Sequence, residues 1–186
     1  MRVVAGSCGG RRLVTPAGRD TRPTTDRVRE ASFNALGSLD VLDGASVLDL
    51  FAGSGALGIE ALSRGAARCS FVDADRRAIA AVRANLMTCD LNDVAEVHQI
   101  DAHRYLAGDP GPFDLALLDP PYAFDGWETL LVGLPATTVV IESDREIGLP
   151  ALWDVVRQKW YGTTLVTLAQ RAPHEPSPTP TAPEQP

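Results

Sequence analysis

Cysteine is scarce in this chain. Cys8, Cys69 and Cys89 are an odd count with no C-x-x-C spacing, so no disulfide framework is expected. No charged segment followed by an apolar run opens the N-terminus, as a secretory leader would. No apolar stretch approaches the ~20 residues of a membrane span; the runs around Leu117 and Val140 are only strand-length. A soluble protein of the reducing cytoplasm is expected. His98 and His103 lack carboxylate or cysteine neighbours at ligand spacing, so no metal is predicted.

Positive charge is also in short supply. The formal net charge is -7, and phosphate neutralisation by Lys and Arg supplies most non-specific affinity for nucleic acid. The distribution is uneven, however. Residues 1–30 carry seven Arg against Asp20, Asp26 and Glu30, a net of +4, which leaves -11 on the other 156 residues. That asymmetry makes the N-terminal segment the candidate contact for a polyanion; a solvated charged face is the alternative.

With 186 residues, 45% of them hydrophobic, the chain can bury one core and suits a single domain with short additions. Residues 1–22 alternate short apolar stretches with Gly6, Gly9, Gly10 and Gly18, a pattern of hairpins and hence of a small β-rich arm. Thr24 or Thr25 can cap a helix reaching about Leu36, with Gly37 at its end. Residues 23–171 form the body and residues 172–186 a proline-rich tail. That tail holds six of the fourteen prolines and too little apolar bulk to order itself.

Within the body the pattern predicts strand 46–50, helix 56–64, strand 69–73, helix 75–87, strands 94–100 and 113–118, helix 126–133 and strand 137–142. Two strands near 154–160 and 163–169 finish the sheet antiparallel. Alternation of strand and helix gives an α/β fold with a mostly parallel sheet covered on both faces.

Two motifs carry the chemistry. Asp49, Leu50, Phe51, Ala52, Gly53, Ser54, Gly55 and Gly58 follow a strand and open a helix, and the glycines allow a ligand close to backbone amides. Asp73 lies 20 residues beyond Gly53, where an acid can bind ribose hydroxyls. Dinucleotides and S-adenosylmethionine both fit these features. Asp49, just before the glycines, would crowd a pyrophosphate but attract the sulfonium and ammonium of S-adenosylmethionine.

Asp119, Pro120, Pro121 and Tyr122 follow the apolar strand 113–118, at the sheet edge where α/β ligands sit. The prolines stiffen the loop and remove two amide donors, leaving carbonyl acceptors beside a carboxylate, with Tyr122 as a stacking face. Acceptors on both N–H bonds of an exocyclic base amine would aim its lone pair at a methyl donor. Asp101 is a candidate acceptor for the adenine amino group of the cofactor. Trp127, Trp153 and Trp160 read as packing residues, with Trp127 near enough to Tyr122 to line a base pocket.

Up to about Gln170 the chain resembles the bacterial 16S ribosomal RNA guanine-N(2) methyltransferases. Beyond the two motifs, the likeness rests on Arg2, Val3, Val4, Ala5 and Gly6; then Gly10, Arg11, Arg12 and Leu13; then the run from Thr21 through Arg22, Pro23, Thr24, Thr25, Asp26, Arg27, Val28 and Arg29 to Glu30; and last Phe33 and Asn34. The resemblance implies a Rossmann-like class I methyltransferase with a seven-stranded sheet and S-adenosylmethionine held near residues 49–55, Asp73 and Asp101. It further implies a target guanine at Asp119, Pro120, Pro121 and Tyr122, and RNA contacts from Arg11, Arg12, Arg22 and Arg27. The expected partner of this monomer is 16S rRNA, within a small ribosomal subunit or an assembly intermediate. Asp73 stands where glutamate is frequent in such enzymes. Methylation of an adenine in DNA or RNA or of a glutamine amide remains open, as does, in another class, an NAD-linked oxidoreductase.

Overall fold

The computed structural model describes residues 1–16 and 26–173. Seven strands form one sheet: β1 (Ser46–Leu50), β2 (Arg68–Asp73), β3 (Ala95–Gln99), β4 (Phe113–Leu118), β5 (Ala136–Ser143), β6 (Trp153–Tyr161) and β7 (Thr164–Arg171). Their order across the sheet is β3-β2-β1-β4-β5-β7-β6. The first five strands run parallel, and β7 runs antiparallel to both β5 and β6.

Burial explains the central positions. All five residues of β1 and all but one of β4 are buried, as strands covered on both faces must be. Their side chains alternate between two cores. Val47 packs with α1 (Asp26–Ser38), α2 (Ala56–Ser63) and α3 (Arg76–Cys89), whereas Leu48 and Leu50 pack with α4 (Ala102–Ala107) and α5 (Trp127–Gly133). The doubly covered sheet read from the sequence is therefore present, with boundaries shifted by one or two residues at most elements.

Local differences have physical causes. The helix placed to end at Gly37 includes it and closes at Ser38, with Val28, Phe33 and Leu36 buried on one face. Its expected caps Thr24 and Thr25 lie outside the described residues, as does the tail from His174 onward. The strand expected through residue 100 ends at Gln99, and Asp101 instead caps α4 by accepting the amides of His103 (3.0 Å) and Arg104 (3.3 Å). No helix of the described residues is long and apolar enough to cross a membrane.

The N-terminal segment differs most from expectation. Residues 1–16 contain a single antiparallel bridge, Arg2 to Arg12, and no strand. The amides of Val3, Gly10 and Leu13 donate to Arg11 O (2.9 Å), Val3 O (2.9 Å) and Met1 O (3.0 Å), an antiparallel pairing. Val3, Cys8 and Leu13 are buried in the core shared with α1 to α3, so the loop with this pairing packs against the body. It closes the C-terminal end of α2: the amide of Ser7 donates to Ser63 O (2.8 Å), and Ser63 Oγ accepts the amide of Cys8 (2.9 Å) and donates to Ala5 O. Gly6, at φ 80°, lies so close that a Cβ there would fall 1.8 Å from the Ser63 carbonyl oxygen.

A buried charge network holds this loop down. Glu60 on α2 is fully buried and accepts the amides of Val4 (2.7 Å) and Ala5 (3.0 Å). It also pairs with Arg64 (2.7 Å) and with the fully buried Arg29 of α1 (3.6 Å). Arg29 in turn reaches the carbonyl of Arg2 and the carboxylate of Asp26 (2.8 Å). Arg29 belongs to the run that carried the family resemblance; Glu60 was not singled out in the sequence.

Gly58 sets the distance between α2 and the sheet. A Cβ at this position would lie 2.4 Å from Phe71 Cε1 and 2.7 Å from Cys69 Sγ. Gly58→Ala is expected to cost about 1–3 kcal/mol through overpacking, read as a lower thermal midpoint.

Candidate active site

The loop from β1 to α2 is built from unusual backbone. Phe51 has φ 72°, a left-handed conformation that strains a bulky side chain. The other described non-glycine residues with positive φ, Asp40, Asp90 and Asp109, are aspartates, which tolerate it. Phe51 is held because its amide and that of Ala52 both donate to Val72 O (3.0 Å each). Gly53 and Gly55 follow at φ 56° and 76°. Asp73 at the end of β2 fixes the same loop, accepting Gly53 N at 2.9 Å and Asp75 N at 2.8 Å.

Behind the loop stands Asn85 of α3, fully buried. Its amide group donates to Ser54 O (2.8 Å) and Val14 O (2.9 Å) and accepts Val14 N (2.8 Å). One side chain thus ties the N-terminal segment to the glycine turn.

Asp49 is 2% exposed and accepts the amide of Gly58 at 2.9 Å. Burial raises its pKa to about 8, against the lowering effect of the Gly58 amide, and the charges of Asp119 and Asp73 push it further up. Three carboxylates at the ends of β1, β2 and β4 therefore sense one another, and a cation would relieve their repulsion.

A single cavity of about 1370 Å³ opens over the carboxyl ends of the strands. Phe51, Asp73, Asp101 and the whole of Asp119, Pro120, Pro121 and Tyr122 line it. These seven residues, all singled out in the sequence, thus line one cavity. Asp49, Ala52, Gly53, Ser54 and Gly55 are not among the lining residues. Asp49 anchors the start of α2.

The basic residues separate. Arg27 lines the cavity, whereas Arg11 donates to the carbonyl of Thr88 on α3 and Arg12, in the bridge to Arg2, is exposed. Arg22 lies outside the described residues.

Aromatic placement corrects two expectations and adds a lining residue. Trp127 is 7% exposed and meets Phe124 edge to face, with centroids 5.1 Å apart; it supports Phe124, which lines the cavity in its place. His103, given no role by the sequence, lines the cavity and stacks on Phe124 at 6.0 Å. Trp160, read as packing, lines the cavity too, half exposed.

Arg145, after β5, gave no signal in the sequence. Its guanidinium donates to the carbonyls of Tyr122 (2.9 Å) and Phe124 (2.7 Å), while Phe124 N donates to Pro121 O (2.8 Å). The Asp119–Tyr122 loop is thus stiffened by proline on one side and clamped by a planar cation on the other. Arg145→Ala should loosen the loop without touching the Asp73 side. The expected result is a fall in kcat/KM of roughly 10- to 100-fold with cofactor affinity unchanged, measured by steady-state methylation and calorimetry.

Comparison with known proteins agrees with this geometry. The family model described as "Conserved hypothetical protein 95" matches residues 1–170. The chain is 44% identical to "Putative rRNA methyltransferase YlbH" of Bacillus subtilis over 184 residues, covering 92% of this chain and 99% of that protein. It is 36% identical to "Ribosomal RNA small subunit methyltransferase D" of Escherichia coli over 181 residues, covering 92% and 90%. Among solved structures, "Putative methyltransferase yhhF" from Escherichia coli superposes with a TM-score of 0.81 at 36% identity, covering 92% of this chain and 97% of that one. By sequence over nearly its whole length and by its class I methyltransferase sheet, the chain belongs to the family of ribosomal RNA small subunit methyltransferase D.

Proposed function

We propose that the chain transfers a methyl group from S-adenosylmethionine to the exocyclic 2-amino group of a guanine in 16S rRNA. The observation that carries this reading is one cavity lined both by Phe51, Asp73 and Asp101 and by Asp119, Pro120, Pro121 and Tyr122. The relatives' names supply ribosomal RNA of the small subunit as the substrate class.

The residues present fit the cofactor. A carboxylate-rich wall suits a sulfonium and an ammonium, and would repel the phosphates of a dinucleotide. Asp73 and Asp101 stand at the wall where ribose hydroxyls and an adenine amino group would be received. S-adenosylmethionine, when bound, supplies an electrophilic methyl carbon.

The chain's own task is to present the amine. Asp119 and the Pro120 carbonyl accept its two N–H bonds, which favours a pyramidal nitrogen with its lone pair toward the methyl. Tyr122 stacks on the base. The proton leaves after transfer, to Asp119 or to water, and no covalent enzyme intermediate is needed.

The experiment is incubation with methyl-labelled S-adenosylmethionine and small ribosomal subunits from a strain lacking this modification, followed by digestion and mass spectrometry. A single N(2)-methylguanosine supports the proposal; label in adenine or in protein overturns it.

Asp49 supplies a pH prediction. Its folded-state pKa of about 8 lies above the ordinary value of 3.8, so the folded protein keeps a proton that the unfolded chain releases. Its effect on stability is therefore most favourable below about pH 4 and is lost as pH rises toward 8. Stability against unfolding, measured between pH 5 and 8 without cofactor, should fall as pH rises, and that of the Asp49→Asn variant should fall less.

A further inference from the structure

The cavity is larger than one small ligand requires: about 1370 Å³ against roughly 300–1,000 Å³ for most ligand pockets. Its two ends differ in chemistry. One end holds Asp73, Asp101 and Asp119; the other is walled by the turn between β6 and β7 and by the start of α1.

At that second end stand Lys159, Trp160, Tyr161 and Arg27. Lys159 is the only lysine in the chain. Its ammonium lies over the Tyr161 ring at 5.3 Å, and neither it nor Arg27 forms an ion pair among the described residues. Trp160 is 48% exposed, while Trp127 and Trp153 are 7% and 4% exposed. Tyr122, 45% exposed, lines the same cavity.

A large aromatic face held half open in the same cavity as two cations with no ion pair among the described residues, in an otherwise acidic protein, matches the needs of a single-stranded nucleotide. Its base stacks on an aromatic side chain and its phosphate meets a cation. We infer that the end walled by Lys159, Trp160 and Arg27 is a subsite for a nucleotide flanking the methylated one, with its base on Trp160 and its phosphate at Lys159 and Arg27. This assignment rests on the RNA-methyltransferase reading above and adds what positions the strand. Trp160 and Lys159 act here as positioning residues for the strand.

The test uses the full chain, a single-stranded oligoribonucleotide with one guanine, and small ribosomal subunits. With the other two tryptophans buried, the oligonucleotide should quench mainly Trp160 fluorescence. Trp160→Ala should raise its Kd by roughly 10-fold and Trp160→Phe by less than about threefold. Lys159→Ala should lower the slope of log affinity against log salt by about one. On subunits, Trp160→Ala should raise KM and leave kcat and cofactor affinity unchanged, with an unchanged thermal midpoint reporting intact folding.

Equal Kd in the alanine variant and wild type, or phenylalanine no better than alanine, overturns the subsite. If the wild type methylates an amine other than guanine N2 and Trp160→Ala still weakens RNA, the guanine reading falls and the subsite stands. If N(2)-methylguanosine forms equally well in both proteins at low RNA concentration, the subsite alone falls. No RNA binding by the wild type overturns both.

Discussion

Replacing Asp119 by alanine is expected to lower methyl transfer by on the order of 10²- to 10³-fold while leaving cofactor affinity nearly intact. The exocyclic amine of guanine is a poor nucleophile because its lone pair is delocalised into the ring. Removing one of two acceptors lets the nitrogen stay planar, so the loss falls on kcat. The loop itself should persist, because Pro120, Pro121 and the Arg145 clamp on the Tyr122 and Phe124 carbonyls are independent of the carboxylate. Asp119→Asn keeps one acceptor oxygen and should retain partial activity. Single-turnover methylation alongside calorimetry of cofactor binding separates the two effects, and unchanged turnover in the alanine variant would sink the mechanism.

Glu60→Ala should have the largest effect on stability, about 3–5 kcal/mol, which for a domain of this size lowers the thermal midpoint by roughly 10 °C or more. The carboxylate neutralises fully buried Arg29 and receives the amides of Val4 and Ala5. Its removal leaves a buried cation with less compensation and two donors without acceptors. The N-terminal segment should come loose, and limited proteolysis should cut it ahead of the body. Glu60→Gln keeps the shape and one acceptor oxygen, so its cost should be smaller; equal thermal midpoints in wild type and Glu60→Ala would contradict the assigned role.

The strands were legible because a doubly covered sheet leaves apolar runs such as Phe113–Leu118, and the two motifs because glycine and proline constrain backbone whatever surrounds them. α4 was hidden: six residues show too little periodicity, and Asp101 reads equally as the end of a strand. The packing of the N-terminal segment against the body was not legible, because glycines that promote a turn look the same whether the turn stands free or, as Gly6 does, presses on a helix end. Glu60, Asn85 and Arg145 could not be found by pattern. A buried charge on a helix has the same letter as a solvated one, and only the tertiary fold brings Arg145 to carbonyls 21 and 23 residues away. Trp160 escaped for the opposite reason, since an aromatic in a strand is most often interior.

The sheet order has a consequence for biosynthesis. β7, the last described strand, lies between β5 and β6, so while the chain is being made β5 presents an open edge and β6 has no neighbour. Both edges close only when residues up to Arg171 have emerged. Until then the nascent protein carries a parallel sheet whose β5 edge is unpaired, a surface prone to association, and its completion is a late event. A chain interrupted between β6 and β7 should collect in aggregates, while one extended beyond Arg171 can finish its sheet.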